Sequence, residues 1–332
     1  MREKISFLVT YYNQEKYVEK SLNSIFSQKL DFDYEVLVGD DGSSDNTIRV
    51  VKSFQERYPD KLKLFIMARD LDKKYDSIER VSKNRINLIK NATGNYFCIL
   101  DGDDWYCTNE LINKGAKFLS NNSTYGIYAY AFQFVYPDER IEVSKNRIKE
   151  GVITEKTYLR KYYTPAGACV FRNFLNLNTF NLIEQTKFFD DCDIVYLALN
   201  YGKLFYSSEV LYAYRQEESS LWHSLNIIEQ YALILQSLDV WKLYIPKYVL
   251  NLILGKCDCI VYSFLHRNEL KYVVDNNAKY INWISKYKEG YLSILYNWQN
   301  LNISKRIEFI FHILPLCIYK LIKKIIYSIR NH

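Results

Sequence analysis

The sequence predicts an α/β protein built on a doubly wound, mainly parallel sheet with a C-terminal helical extension. Three observations predict it. Four apolar, β-branched and aromatic runs alternate with helix-spaced segments over about the first hundred residues. The first, second and fourth runs end in polar or acidic turns, and beyond about residue 222 only helical spacing remains. In such a sheet ligands gather outside the carboxyl ends of the strands.

Residues 4 to 12 (KISFLVTYY) are a nearly continuous apolar run, the pattern of a strand covered on both faces. Val18, Leu22 and Ile25 follow at helical spacing, so a helix packs back on that strand. YEVLVGD at 34 to 40 is a second strand, and the DGSSDNT turn after it caps a helix carrying Val50, Val51, Phe54 and Tyr58. LKLFIMA at 62 to 68 is a third. A polar helix (SIERVSKNRINLIKNATG) comes next, with Gly94 as its stop signal. NYFCILD then supplies the fourth strand. YGIYAYAFQFVY at 125 to 136 and GACVFR at 167 to 172 read as strands joined by a charged loop from Glu139 to Glu150. FFDDCDIVYLALNYGK reads as a turn and a helix, and LFYSSEVLYAYR as a closing strand. The expected organisation is an α/β domain over residues 1–222 and a helical extension over 223–332.

At 332 residues, 48% apolar and 25% charged, the chain is globular and large enough for a full core. Its 31 Tyr and 18 Phe point either to sugar-stacking surfaces or to a compositional bias. Seven cysteines (98, 107, 169, 192, 257, 259 and 317) make no CxxC pair and cannot all pair, which fits a reducing compartment. The N-terminus has too short an apolar run for a signal peptide or membrane span, so a cytoplasmic location is expected.

The net charge of +6 is dispersed except in the last thirty positions. There Lys305, Arg306, Lys320, Lys323, Lys324 and Arg330 interleave with Ile, Phe and Leu. This favours an anionic membrane surface over nucleic acid, which is not expected as a partner. Glu308, His312 and Pro315 interrupt the apolar run. The tail therefore reads either as a helix lying on the cytoplasmic face of the inner membrane or as one packed on the catalytic domain or another subunit.

The strongest chemical signal is Asp101-Gly102-Asp103-Asp104, directly after the apolar run YFCIL. Alternation along extended chain would put Asp101 and Asp103 on one side. Three carboxylates in four residues repel one another unless a cation or strong donors neutralise them, and oxygen ligands favour Mg²⁺ or Mn²⁺ shared with phosphate. A solvated acidic turn is the plain alternative. Asp40-Asp41-Gly42-Ser43-Ser44-Asp45 ends another strand, so one of Asp40 and Asp41 points into the crevice while the other braces the turn. Thr10, Tyr12 and Asn13 end the first strand beside the same crevice, where an aromatic ring could stack on a base.

In this order and spacing, SFLVTYYNQEKYVEKSLNSIFSQ, VLVGDDGSSDNT and ATGNYFCILDGDDW resemble the inverting glycosyltransferase family 2, whose members adopt the GT-A fold. The resemblance covers roughly residues 4 to 222. It implies that Thr10, Tyr12 and Asp41 hold the nucleobase, with Asp41 accepting a uracil N–H, and that Arg85 faces the diphosphate. It further implies that Asp101 holds the ribose or donor sugar and that Asp103 binds the divalent metal, Mn²⁺ or Mg²⁺, with Asp104 in the same motif. Ile86 departs from the Arg-Asn pair common at that place in the family. FFDDCDIVYLAL resembles the family's Glu-Asp motif, which makes Asp191 the catalytic base, although Asp190 or Asp193 could cap the same helix. TPAGACVFR at 164 to 172 resembles the strand lining the acceptor side, and equally an ordinary core strand. Arg215 matches a residue that can touch phosphate. Gln216 stands where relatives often carry histidine, which leaves His223 as a weaker metal ligand.

The resemblance thus implies an inverting transfer of a hexose or N-acetylhexosamine from a nucleotide sugar, a UDP-sugar foremost. The acceptor would be a saccharide or lipid-linked saccharide in bacterial surface polysaccharide or glycolipid synthesis. One alternative is a sugar-nucleotide nucleotidyltransferase, which should open with a Gly-rich basic loop where this chain reads TYYNQEKY. A non-catalytic nucleotide-sugar-binding protein is another, although Asp103 and Asp191 are both present.

Overall fold

The computed structural model describes residues 2–70, 75–144, 149–161, 163–186, 189–217, 225–288, 290–300, 303–309, 313–319 and 321–322. The chain divides into two compact units, residues 1–155 with 163–217, and residues 156–162 with 218–332. The boundary expected at residue 222 lies outside the described residues, as does His223.

In the first unit the strands are β1 (Lys4–Tyr11), β2 (Asp33–Asp40), β3 (Leu62–Ile66), β4 (Tyr96–Asp101), β5 (Trp105–Tyr106), β6 (Tyr125–Val135), β7 (Ile141–Val143), β8 (Gly151–Ile153), β9 (Cys169–Arg172) and β10 (Lys203–Arg215). They form one sheet in the order β3-β2-β1-β4-β9-β6-β10-β5, with β7 on β6 and β8 on β10. β3, β2, β1 and β4 run parallel, and β9 enters antiparallel between β4 and β6. β6 and β10 are parallel to each other. The helices interleaved with them are α1 (Val18–Phe26), α2 (Thr47–Arg57), α3 (Ser77–Asn91), α4 (Leu111–Asn121), α5 (Glu155–Lys161), α6 (Leu177–Thr186) and α7 (Asp191–Ala198). All of α5 after Glu155 belongs to the second unit.

The mainly apolar run of β1 is buried because helices cover both faces of the sheet: Ile5, Phe7 and Val9 are fully inside, with Val18, Leu22 and Ile25 of α1 against them. Each such side chain contributes about 1.5–3 kcal/mol by leaving water. Two local expectations need correction. Helix α3 ends at Asn91 with Ala92 already extended, so Gly94 is not its stop. Gly94 is required by close approach instead: a Cβ there would lie 2.7 Å from the backbone nitrogen and Oγ of Ser6 and 2.6 Å from the Tyr96 carbonyl. The Glu139–Glu150 segment, read as a loop, contains the short strand β7, which closes a hairpin on β6.

The second unit is helical: α8 (Ile227–Tyr244), α9 (Val249–Gly255), α10 (Cys257–Leu265), α11 (Arg267–Asp275), α12 (Ala278–Lys286), α13 (Tyr291–Tyr296) and α14 (Ile303–Glu308). Asn226 and Glu229 form a capping box at the start of α8. From inside α8, the buried Asp239 carboxylate accepts the Tyr291 N–H (2.8 Å) at the start of α13. Among the described residues no single helix is long and apolar enough to cross a membrane. The pair Pro246–Gly255 and Cys257–Leu265 passes by length and composition together but is bent by 63°.

Candidate active site

The parallel register fixes where the acidic motifs meet. Thr10 at the end of β1 pairs with Gly39 of β2 on one side and Asp101 of β4 on the other, so three strands deliver their carboxyl ends to one edge. Thr10 Oγ1 donates to Asp101 Oδ1 at 3.1 Å. The Asp41 backbone N–H donates to the Tyr11 carbonyl at 2.9 Å, which holds the next turn against the same edge.

Of the two aspartates ending β2, Asp40 braces the turn. Its Oδ1 accepts the Ser43 N–H and its Oδ2 the Ser43 hydroxyl, both at 2.7 Å. Asp41, the other, is 3% exposed and faces two arginines. Arg69 and Arg80 each donate to one of its carboxylate oxygens. Arg69 Nε also donates to the Asp41 carbonyl (2.6 Å), and its guanidinium lies 4.0 Å from the ring centroid of Tyr12, which is 43% exposed. Both arginines sit against Tyr75 as well. Neither Arg69 nor Arg80 is marked by the sequence motifs. No local pattern marks them: β3 pairs with β2 up to Asp40↔Ile66, and only this long-range pairing brings the residues just after β3 to the Asp41 turn. The Met67 N–H reaches it, donating to the Asp40 carbonyl at 2.8 Å.

The second cluster centres on Arg85, whose guanidinium is buried on the face of α3 that covers the sheet. Its Nη2 donates to both oxygens of Asp101, at 2.9 and 3.0 Å, and lies 3.0 Å from Asp191 Oδ1. The latter pair is ionic without hydrogen-bond alignment, for Asp191 Oδ1 and Arg85 Nε are both buried without a hydrogen-bond partner. Resemblance places Arg85 toward a diphosphate; in the structure its charge is already committed to two carboxylates. The neighbouring Asn84, one position before it, donates from Nδ2 to the Gly39 carbonyl at 2.9 Å and so fixes α3 against β2.

Asp191 is free to face this cluster because other residues cap its helix. Asp190 Oδ1 accepts the N–H groups of Cys192 (2.8 Å) and Asp193 (3.4 Å), and Asp193 Oδ2 accepts the Asp190 N–H at 2.6 Å. Both alternatives to Asp191 as the cap are thus used, and the segment is anchored by the Phe189 N–H donating to the buried Ser82 of α3 at 3.1 Å. Burial pushes the Asp191 carboxyl up to about 7; the Arg85 charge works against that rise, and Asp101 and Asp190 add to it.

Asp101, Asp103 and Asp104 do not alternate along extended chain. A turn closed by the Asp104 N–H on the Asp101 carbonyl (3.0 Å) follows β4 and separates their fates. Gly102 at its corner admits no side chain: a Cβ would lie 2.1 Å from the Tyr11 ring. Asp103 is half-buried, and burial together with the Asp101 charge pushes its carboxyl up to about 6. Asp104 is 1% exposed and belongs to the scaffold: it accepts the Tyr212 hydroxyl on one oxygen and the Arg215 N–H (2.8 Å) on the other. Burial and the two neighbouring aspartates raise its carboxyl well above the ordinary range. Arg215 Nε donates to the Asp103 carbonyl at 3.0 Å, and its guanidinium lies over Tyr17 (4.3 Å) and Trp105 (5.0 Å).

A divalent cation fits this donor set only in part. Among the described residues, no three His, Cys, Asp or Glu side chains converge to enclose one. Asp103 nevertheless offers hard oxygen atoms that burial and the Asp101 charge leave poorly stabilised as an anion. A cation sharing its remaining positions with phosphate oxygens would relieve that strain.

A family model described as Glycosyl transferase family 2 matches residues 6–179, more than half of the chain. The chain belongs to this family. Another relative of the family 2 chain, an uncharacterized protein of Mycobacterium tuberculosis, is 22% identical over 229 residues, 66% of the chain and 61% of the relative, so the chain spans less than two thirds of that relative's length. The GalNAc(5)-diNAcBac-PP-undecaprenol beta-1,3-glucosyltransferase of Campylobacter jejuni is 29% identical over 238 residues, covering 69% of the chain and 71% of the relative. The crystal structure of Staphylococcus aureus TarS 1-349 in complex with UDP-GlcNAc superposes with a TM-score of 0.52 at 19% identity, over 90% of this chain and 92% of that one. That likeness establishes the GT-A fold of the family 2 chain.

Proposed function

We propose that the protein transfers a hexose or N-acetylhexosamine from a UDP-sugar to a hydroxyl of a saccharide or lipid-linked saccharide, with inversion, in the assembly of a surface polysaccharide or glycolipid. The observation that carries this reading is the Arg85 bridge, which joins Asp101 on β4 to Asp191 at the start of α7. The UDP-GlcNAc complex of TarS and the lipid-linked acceptor in the Campylobacter enzyme's name support the donor and acceptor classes.

In this reading Tyr12 and Asp41 receive the nucleobase, while Thr10 and Asp101 face the ribose or donor sugar. Asp103 would hold Mn²⁺ or Mg²⁺, which would supply positive charge to the departing nucleotide diphosphate. The Asp191 carboxylate accepts the proton of the acceptor hydroxyl as that oxygen bonds to the anomeric carbon and the bond to the diphosphate breaks. Arg85 favours the ionised form of Asp191, opposing the burial that raises its carboxyl to about 7. A single displacement of this kind inverts the anomeric carbon.

Peripheral attachment to the cytoplasmic face of the membrane belongs to the same proposal. Ile303 and Ile307 of α14 are exposed beside Lys305 and Arg306, the arrangement of an interfacial helix. Cosedimentation with anionic but not neutral phospholipid vesicles is the expected result. The central experiment is a panel of nucleotide sugars assayed for Mn²⁺-dependent hydrolysis and transfer, with the parent, Asp103→Ala and Asp191→Asn side by side. Asp103→Ala should lose metal-dependent donor binding, and Asp191→Asn should bind the donor without transferring it. Equal activity of all three proteins would remove both assignments.

A further inference from the structure

We infer that a ladder of aromatic rings along β6 and β10 is the acceptor-binding track, a set of subsites for the sugar rings of a saccharide that carries the attacking hydroxyl. This rests on the glycosyl-transfer reading. The two strands are parallel neighbours with Tyr212 opposite Phe132 and Tyr214 opposite Phe134. Alternate positions of a strand share a face, so Phe132, Phe134, Tyr212 and Tyr214 line one side of the sheet, with Tyr136 just past the end of β6. Centroids are 6.1 Å apart for Tyr212 and Tyr214, 6.0 Å for Tyr214 and Phe134, and 6.4 Å for Phe134 and Tyr136.

Burial is graded along this row. Phe132 and Tyr212 are inside the core, whereas Phe134, Tyr136 and Tyr214 are half-buried. The inner end meets the aspartate cluster: Tyr212 donates to the scaffold residue Asp104, and burial with the negative charge of Asp191, Asp104, Asp101 and Asp103 raises the Tyr214 phenol above its ordinary range. At the outer end, Arg140 lies 3.9 Å from the Tyr136 ring centroid and Glu142 is within 3.5 Å of the Tyr136 hydroxyl.

A pyranose ring presents an apolar C–H face and a rim of hydroxyls. Half-exposed aromatic rings with charged groups around them, here a guanidinium over one face of Tyr136 and a carboxylate at its hydroxyl, complement both, whereas an acyl chain would leave those charges desolvated and unpaired. The track cannot be the nucleotide's own site, because Thr10, Tyr12 and Asp41 lie on the β1–β2 side of β4 while β9, β6 and β10 continue the sheet on the other side. A donor between the two halves would meet its acceptor at Asp191.

Saturation-transfer NMR on the full chain, with UDP present and with glucose and N-acetylglucosamine mono- to pentasaccharides as probes, tests the inference. Affinity should rise from mono- to trisaccharide in at least one series. Tyr136→Ala should erase that gain, weakening the trisaccharide about fivefold, the scale of one ring contact. Tyr136→Phe should restore it, and UDP affinity should be unchanged in both variants. Phe134→Ala should act like Tyr136→Ala, with a thermal melt to verify its fold. Length-independent affinity, the absence of any saccharide signal from a protein that binds UDP, or an unaffected Tyr136→Ala would each overturn the track. Saccharide binding in a protein that does not bind UDP would instead sink the glycosyl-transfer reading and leave the track standing.

Discussion

The two ends of the crevice solve the same electrostatic problem in opposite ways. At the β2 end a single carboxylate, Asp41, faces two guanidinium groups, Arg69 and Arg80. At the β4 end Asp101, Asp103, Asp104 and Asp191 share two, Arg85 and Arg215, and Glu217 adds further negative charge near Asp103. The first end is charge-satisfied within the protein. The second is short of positive charge; burial first, and the neighbouring carboxylates after it, push its Asp103 and Asp191 carboxyls up to about 6 and about 7. An end that needs no further charge suits an uncharged planar base; an end that lacks cations suits a metal and a proton-accepting carboxylate.

The largest expected effect lies at the deficient end. Asp191→Asn should lower the transfer rate about 10³-fold, the usual reach of a general base, while UDP-sugar affinity measured by calorimetry stays near the parent value. The sign of the pH dependence follows. Only the ionised carboxylate accepts a proton, so kcat/KM should climb with pH and level off above about 7, falling tenfold per unit below it. Arg85→Gln removes the charge that favours ionisation, and the same limb should then move to higher pH. A limb that stays in place would show that Arg85 does not act on Asp191. Next in size, Asp103→Ala should weaken donor binding about 10²-fold in Mn²⁺ and leave the residual binding indifferent to chelator.

Neighbouring aspartates should then separate by stability. Asp104→Ala strands the buried Tyr212 hydroxyl and the Arg215 N–H, at a cost of about 2–4 kcal/mol, and should lower the melting temperature by several degrees. Asp103, which holds no such internal donors among the described residues, should tolerate alanine without a comparable fall. Similar melts for the two variants would contradict the division of labour drawn from the turn.

That division also marks how far the sequence reaches. The strand-and-helix alternation through β4 was legible because the buried runs are nearly continuous and α1 and α2 each carry a clear apolar stripe. The roles of Asp190, Asp191 and Asp193 stayed open between catalysis and capping in the sequence; the structure has Asp190 and Asp193 form the capping box and Asp191 face Arg85. What could not be read was the turn after Asp101. Strand periodicity predicts that Asp101 and Asp103 share a face, but a turn obeys local hydrogen bonding instead, and it sends Asp104 into the core. Arg69 and Arg80 were invisible for a related reason: pairing of β3 with β2 is a long-range contact that no local pattern encodes.

The smallest effect tests the satisfied end. Arg69 and Arg80 both hold Asp41, yet they differ in what else they touch. Arg80 Nη2 also donates to the Met67 carbonyl at 2.9 Å, tying the chain after β3 to the Asp41 turn, whereas Arg69 covers the face of Tyr12. If a base stacks on Tyr12, Arg69 must leave that face first, and its removal subtracts a competitor along with a partner. Arg80→Gln should therefore weaken UDP about tenfold through a loosened Asp41. Arg69→Ala should change UDP affinity by less than about threefold, because the two consequences oppose each other. Equal losses in both variants would mean that the base does not use the Tyr12 face.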